Sequence, residues 1–203
     1  MKSASIYLAS RSPRRRELLD QIGVQHEVLD VEVDESWDGE EPARVHATRL
    51  ALNKAQLGWA KVKDTHARAV LAADTVVALD DMILGKAEKP HEAMAMLRQL
   101  SGRSHWVLTG VALIDAQGIA RHALSTSRVV FRTLSIEEVR GYVDTGEPLG
   151  KAGAYAIQGL AAMYIERIEG SYSGVMGLPL YETASLLRAA EILDLEGQVT
   201  REQ

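Results

Sequence analysis

Three consecutive arginines, Arg14 to Arg16, follow Ser12 and Pro13 in the segment LASRSPRRRELLDQIG at positions 8 to 23. Ser12 as N-cap and Pro13 at the first helical position start a helix there. The cations therefore fill a first turn whose free N–H groups are already partly positive and ordinarily attract acidic side chains. An anion seated on the turn makes sense of them: unsatisfied N–H groups and guanidinium forks together bind phosphates, and the ligand relieves the repulsion. Arg14 and Arg15 suit that use, whereas Arg16, beside Glu17, reads as a solvated charge.

Asp74, followed by Thr75, interrupts the β-branched, nearly uncharged run ARAVLAADTVVAL. A carboxylate in an apolar strand is costly unless it is paired, bound to a metal or placed at the strand's end. The spacing predicts a central strand with Asp74 and Thr75 at its tip, where catalytic groups of α/β sheets collect; an Asp that caps a turn is an equal alternative. Asp34 and Glu35 end the extended segment HEVLDVEVDES and would complete an oxygen-rich site for magnesium or manganese, although solvated turn acids are the simpler reading. Lys54, within a helix, reads as solvated. Lys86, in the loop LGKAEKP, is better placed for phosphate because loops at strand ends carry function.

Other chemistries find less support. GEPLGKA at 146 to 152 has the wrong glycine spacing for a phosphate-binding P-loop and lacks the hydroxyl residue after the lysine. There is no GxGxxG, and GSYSG does not match a nucleophile elbow. Cysteine is absent, which excludes disulfides, thiol nucleophiles and thiolate-bound zinc, and the six histidines show no metal-ligand spacing. Spacing alone thus points to a phosphate-bearing substrate handled with a divalent metal.

The elements that must position these residues follow from pattern. Ser5 to Ala9 reads as a buried strand, and its helix stops at Gly23. A long helix runs from about Pro42 to Trp59, with Val45, Leu50, Leu52 and Leu57 among its apolar positions. Another begins near Pro90 and closes at Gly102. SHWVLTGVALID, the turn AQG and IARHALSTSRVVF form a hairpin. SIEEVRGYV opens on a capping box of Ser135 and Glu138. AYAIQGLAAMYIERI reads as a strand pair and LPLYETASLLRAAEIL as the last helix, with a frayed polar tail beyond Leu195. Strands and helices mix without strict alternation, which predicts an α/β or α+β sheet flanked by helices.

At 203 residues the chain fits a single domain, and no linker divides it. A net charge of −5 argues against a general nucleic-acid binder, so any basic patch is local. The start MKSASIYLAS lacks the apolar run of a secretory signal, and the longest uncharged stretch, Ala152 to Ile165, is shorter than the roughly 20 residues that span a bilayer. A cytoplasmic protein without membrane partners is expected.

The segments LASRSPRRRELL, AADTVV, LTGVAL, KAGAYAIQG and GSYSGVMGLPL, in this order from about Ser5 to Leu187, together resemble the Maf family of nucleoside triphosphate pyrophosphatases. That resemblance implies a mixed α/β fold similar to inosine triphosphatases, two lobes around a long sheet with the active site in the cleft. It also implies release of pyrophosphate from a nucleoside triphosphate with a divalent cation, Mg2+ or Mn2+, and homodimers, which are common in the family. PRR, ADT and IQG look like the branch acting on dTTP and UTP, so Arg14, Thr75 and Gln158 carry the substrate choice; the 7-methyl-GTP branch is the alternative. By the same transfer Asp74 takes the catalytic acid/base position and also serves the metal with Glu35, while Ser10, Arg14, Arg15, Lys54 and Lys86 match polar pocket positions. Arg11, Ala87 and Gly150 depart from the family's usual Gly, Pro and Asp, and the last removes a carboxylate from the pocket. The rival readings are a nucleotide-binding regulator of cell division and a kinase-like phosphoryl transferase.

Overall fold

The computed structural model describes residues 6–65 and 68–193. β1 (Ile6–Leu8) lies parallel between β2 (His26–Val28) and β3 (Val70–Leu79). β4 (Met82–Leu84) folds back antiparallel on β3, and β5 (Ser104–Ile114), β6 (Ala120–Phe131) and β7 (Ile165–Glu169) continue the sheet antiparallel on the other side. The strand order is β2-β1-β3-β5-β6-β7, with β4 beside β3. Six helices flank this sheet among the described residues: α1 (Pro13–Gln21), α2 (Ala43–Val62), α3 (Pro90–Leu100), α4 (Ile136–Asp144), α5 (Tyr172–Met176) and α6 (Leu180–Ala189). The expected mixed α/β architecture is the one observed.

Alternation along β3 decides which helices cover which face. Val70, Ala72, Val76 and Ala78 point to α2, where Ala47, Ala51 and Ala55 are fully buried. Leu71 and Ala73 point the other way, into a cluster with Leu18 and Leu19 of α1 and Leu186 and Leu187 of α6. Further along that second face Val77 and Leu79 join Leu97 of α3 and Val139 of α4. The buried stripe of α2 is made of small residues. Of the large apolar positions read from its sequence, Leu50 is buried and Leu52 half-buried, while Val45 and Leu57 are exposed. The reason is a close approach: a Cβ on Gly110 of β5 would lie 2.4 Å from the Ala47 carbonyl oxygen, and one on Gly58 would lie 2.8 Å from Val70.

Helix starts follow the sequence at Pro13, at Pro90 and at the capping box, where the Glu138 amide donates to Ser135 Oγ. Ser12 occupies the N-cap position of α1, but its side chain makes no capping bond. Three segments depart from expectation. HEVLDVEVDES is a strand only over its first three residues, because β1 itself ends at Leu8 and offers β2 nothing further to pair with. AYAIQGLAAMYIERI is not a strand pair: its first residue, Ala154, takes positive φ directly after Gly153, positions 155–159 form no strand, and a 3-10 turn at Leu160–Tyr164 precedes β7, the one strand in it. β3 does not end at Asp74 and Thr75; both sit at its centre. The tail expected beyond Leu195 lies outside the described residues.

Candidate active site

The central position of Asp74 would be untenable in a strand paired on both sides and covered on both faces. One edge of β3 is open. β1 pairs with it only through Val70 and Leu71, and β4 joins only from Val77 onward, while β5 pairs continuously along the opposite edge. Between Leu71 and Val77 the free edge faces a cleft of about 740 Å³. Asp74 reaches this cleft from the α2 face and Thr75 from the other, so adjacent residues of one strand line the same space. The gap in pairing thus does what a strand tip was expected to do.

On the α2 side the charged groups form a chain. Lys54 Nζ donates to Asp74 Oδ1 and to Glu35 Oε1, each at 2.6 Å, and Lys86 Nζ donates to Glu35 Oε2 at 2.6 Å. Lys54 is buried, contrary to the solvated helical lysine read from the sequence. The small stripe of α2 lets the helix ride close enough for its ammonium to meet a carboxylate on β3. Burial pushes the Glu35 carboxyl up, but the hydrogen bonds from Lys54 and Lys86 outweigh it and hold the pKa at about 2. Glu35 follows β2 in irregular chain rather than ending a strand, and Asp34 turns away to accept from the Ser36 amide.

On the other side stands a wall of cations without carboxylate partners in ion-pair range among the described residues. Arg15 donates to the Gly177 carbonyl at 2.8 Å, to Ser10 Oγ at 3.0 Å and to Thr75 Oγ1 at 3.4 Å; Arg14 donates to the Met176 carbonyl at 3.3 Å. These carbonyls terminate α5, the end of a helix that favours cations. Thr75 Oγ1 also bonds Thr109 Oγ1 at 2.9 Å, and Thr109 donates to the Gly174 carbonyl at 2.8 Å, which fixes α5 to the sheet. Ser10 Oγ accepts from the Ser12 amide at 3.2 Å and so shapes the turn into α1. Burial lowers the pKa of both arginines; Asp74 pulls Arg15 back up and Arg14 opposes that. Arg16 is exposed, as expected.

Gln158 is exposed on the cleft wall beside Tyr155 and Ile157. Of the residues singled out in the sequence, Ser10, Arg14, Arg15, Glu35, Lys54, Asp74, Thr75, Lys86 and Gln158 line one cavity, and Asp34 does not. Sequence reasoning missed four contributors. The carbonyls of Met176 and Gly177 carry no side-chain signal. Lys151, in KAG, lines the cleft with its ammonium on the Leu149 and Glu147 carbonyls, and burial together with Arg14 lowers its pKa. Tyr155 is aimed by His105, whose Nε2 lies 2.8 Å from the phenol oxygen.

Arg11, Ala87 and Gly150 have the following surroundings. Arg11 also borders the cleft but, unlike Arg14 and Arg15, is paired with carboxylates, those of Asp30 and Glu32. The Gly150 amide donates to the Ala87 carbonyl at 2.8 Å, and Gly153 to Gly85 at 3.1 Å, so the loops bearing Lys86 and Lys151 are zipped together. Gly150 has φ +69° with open space beyond its Cα.

No group of three or more acids or histidines among the described residues converges as a ready-made cation cage. Glu35 and Asp74 do converge on one ammonium. One or two carboxylates, completed by substrate oxygens and water, are the donor set magnesium takes in phosphate chemistry, and the residues present fit that pattern.

A family model described as "Maf-like protein" matches residues 5–190. A dTTP/UTP pyrophosphatase of Aromatoleum aromaticum is 52% identical over 197 residues, covering 92% of this chain and 95% of that protein. Another dTTP/UTP pyrophosphatase, from Methylobacillus flagellatus, is 55% identical over 183 residues, with 90% of this chain and 91% of that protein covered. A nucleoside triphosphate pyrophosphatase of Xylella fastidiosa is 49% identical, covering 92% and 98%. Among solved structures, a dITP/XTP pyrophosphatase from Mycobacterium abscessus aligns over 62% of this chain and 73% of that one, with 21% identity and a TM-score of 0.43. A family match spanning nearly the whole sequence, and relatives about half identical from end to end, make this chain a member of the Maf-like protein family.

Proposed function

We propose that this chain hydrolyses dTTP and UTP to the nucleoside monophosphate and pyrophosphate, through attack of water on the α-phosphorus, within a single catalytic unit. The observation that carries this reading is the division of the cleft. Arg14, Arg15 and Lys151 present positive charge with no carboxylate in ion-pair range among the described residues, while Asp74 faces them with its position fixed by Lys54. The names of relatives about half identical to this chain favour the same substrates.

The triphosphate lies against the cation wall, where guanidinium forks and the Lys151 ammonium neutralise charge that grows on the leaving pyrophosphate. Asp74 takes a proton from a water molecule as the water oxygen bonds to the α-phosphorus, and the bond from that phosphorus to the bridging oxygen breaks. The electron pair leaves with pyrophosphate, so no covalent enzyme intermediate is required. Lys54 holds the Asp74 carboxylate in place in the cleft through its hydrogen bond to Oδ1. Glu35 and Asp74 are the residues that would hold a divalent cation, Mg2+ or Mn2+, which when bound supplies Lewis-acid charge to the phosphate oxygens. Gln158 presents an acceptor and a donor side by side, a match for N3–H and a carbonyl of uracil or thymine.

The test is a panel of dTTP, UTP, CTP and GTP with magnesium or manganese, read as released pyrophosphate. UTP and dTTP are expected to be the substrates, and Gln158→Glu to change the UTP-to-GTP preference. Asp74→Asn is expected to fold and to lose about a hundredfold to ten-thousandfold in kcat. Nucleotide binding without release would favour the regulator instead, and a nucleoside diphosphate product would favour phosphoryl transfer.

A further inference from the structure

Glu147 touches neither Asp74 nor the arginines, yet it organises the two loops that complete the cleft. Its Oε1 accepts from the Tyr142 hydroxyl at 2.8 Å, and its Oε2 accepts from the Leu160 amide at 3.1 Å. Oε1 also accepts from the Ala161 amide at 3.4 Å. The Tyr142 hydroxyl in turn accepts from the Ala156 amide at 3.2 Å. Gln158 lies midway between Ala156 and Leu160, so its peptide is tied down two residues before and two residues after by one tyrosine and one carboxylate that bond each other.

The packing is as specific as the hydrogen bonding. A Cβ on Gly159 would fall 2.4 Å from Glu147 Oε2 and 2.5 Å from its Cδ. The carboxylate therefore occupies the space a side chain would need, which gives the glycine after Gln158 a physical reason. The backbone of Glu147 reaches a second limb, since its carbonyl accepts from Lys151 Nζ at 2.5 Å. A surface glutamate has no need of such a setting; Glu147 is half-buried and spends both oxygens on fixed donors.

We propose that Glu147 is a positioning residue for base recognition: by bracketing the peptide of Gln158 it sets where the amide of that side chain meets the nucleobase. This rests on the pyrimidine-nucleotide reading above. The bond to Lys151 is made by the backbone carbonyl of Glu147, which a side-chain substitution retains, so disturbing the carboxylate clamp changes discrimination between bases rather than the chemical step.

The experiment compares UTP with GTP for the wild type, Glu147→Ala, Glu147→Gln and Tyr142→Phe. It uses steady-state kinetics and calorimetric dissociation constants, with Tm recorded for each variant. Glu147→Ala is expected to reduce the UTP-over-GTP ratio of kcat/KM by about tenfold, through the KM for UTP, with saturated turnover kept within about threefold. Glu147→Gln keeps one carbonyl acceptor and is expected to recover part of the ratio. Tyr142→Phe removes only the bracket at Ala156 and is expected to lose less, in the same direction. A ratio unchanged in both Glu147→Gln and Tyr142→Phe overturns the proposal even should Glu147→Ala fail to fold, as does an equal loss for both nucleotides that tracks Tm. Failure of the wild type to release pyrophosphate from UTP would instead strike the functional reading, and the dissociation constants then test the clamp by themselves.

Discussion

Asp74, Lys54, Glu35 and Lys86 form a chain of alternating charge in which each contact is 2.6 Å. Removing its middle member leaves two carboxylates facing each other with one cation fewer. Lys54→Met is therefore expected to lower kcat/KM about a hundredfold and to lower Tm, measured by nucleotide hydrolysis and thermal melting. Arg15→Ala removes a group held on three fixed acceptors; its expected signature is a loss of about tenfold to a hundredfold in kcat/KM, read from steady-state kinetics with UTP. The two residues differed in legibility for a physical reason. Arginines in the first turn of a helix are visible as an anomaly because the helix start is itself written in Ser12 and Pro13. A helical lysine becomes a buried ion-pair partner only through the strand it meets, and that strand lies 20 positions away in sequence.

At the scale of elements, the site exists because α2 lies unusually close to the sheet and because β1 stops short. Gly110→Ala would press a methyl into the Ala47 carbonyl, and backing α2 off the sheet would carry Lys54 away from Asp74. A loss of about 1–3 kcal/mol in chemical denaturation is expected, with a fall in kcat/KM at temperatures where the variant is fully folded. β5 also carries His105, fully enclosed against Phe131 and Tyr155. Burial depresses its pKa from 6.5 to about 4. Between those values the unfolded chain holds a proton on this imidazole that the folded chain rejects, so stability is present above pH 6.5 and lost as the pH falls toward 4. The loss amounts to about 3 kcal/mol at most, and His105→Gln is expected to flatten the pH dependence of the unfolding free energy across that window. Helix starts and the strands β1, β3, β5 and β6 were legible from pattern here, whereas β4 lay in a segment that reads as a loop. The length of β3 was not, since an Asp in mid-strand reads as a terminus until the missing neighbour on one edge is known. The half-turn at Gly153 and Ala154 was hidden for a similar reason, as apolar composition resembles a strand whichever backbone region the residues adopt.

For the molecule as a whole, a chain of net charge −5 concentrates Arg14, Arg15 and Lys151 on one cleft wall. A polyanionic substrate is then attracted locally against the overall field, and raising ionic strength is expected to increase the KM for UTP while leaving kcat little changed. Hydrolysis of UTP in water labelled with oxygen-18, followed by phosphorus NMR, bears most directly on a water positioned by Asp74 against the α-phosphorus. The expected products are UMP carrying the label and unlabelled pyrophosphate. Label in the pyrophosphate, or UDP with labelled inorganic phosphate, would place the attack on another phosphorus and contradict the arrangement of base and cation wall described for this cleft.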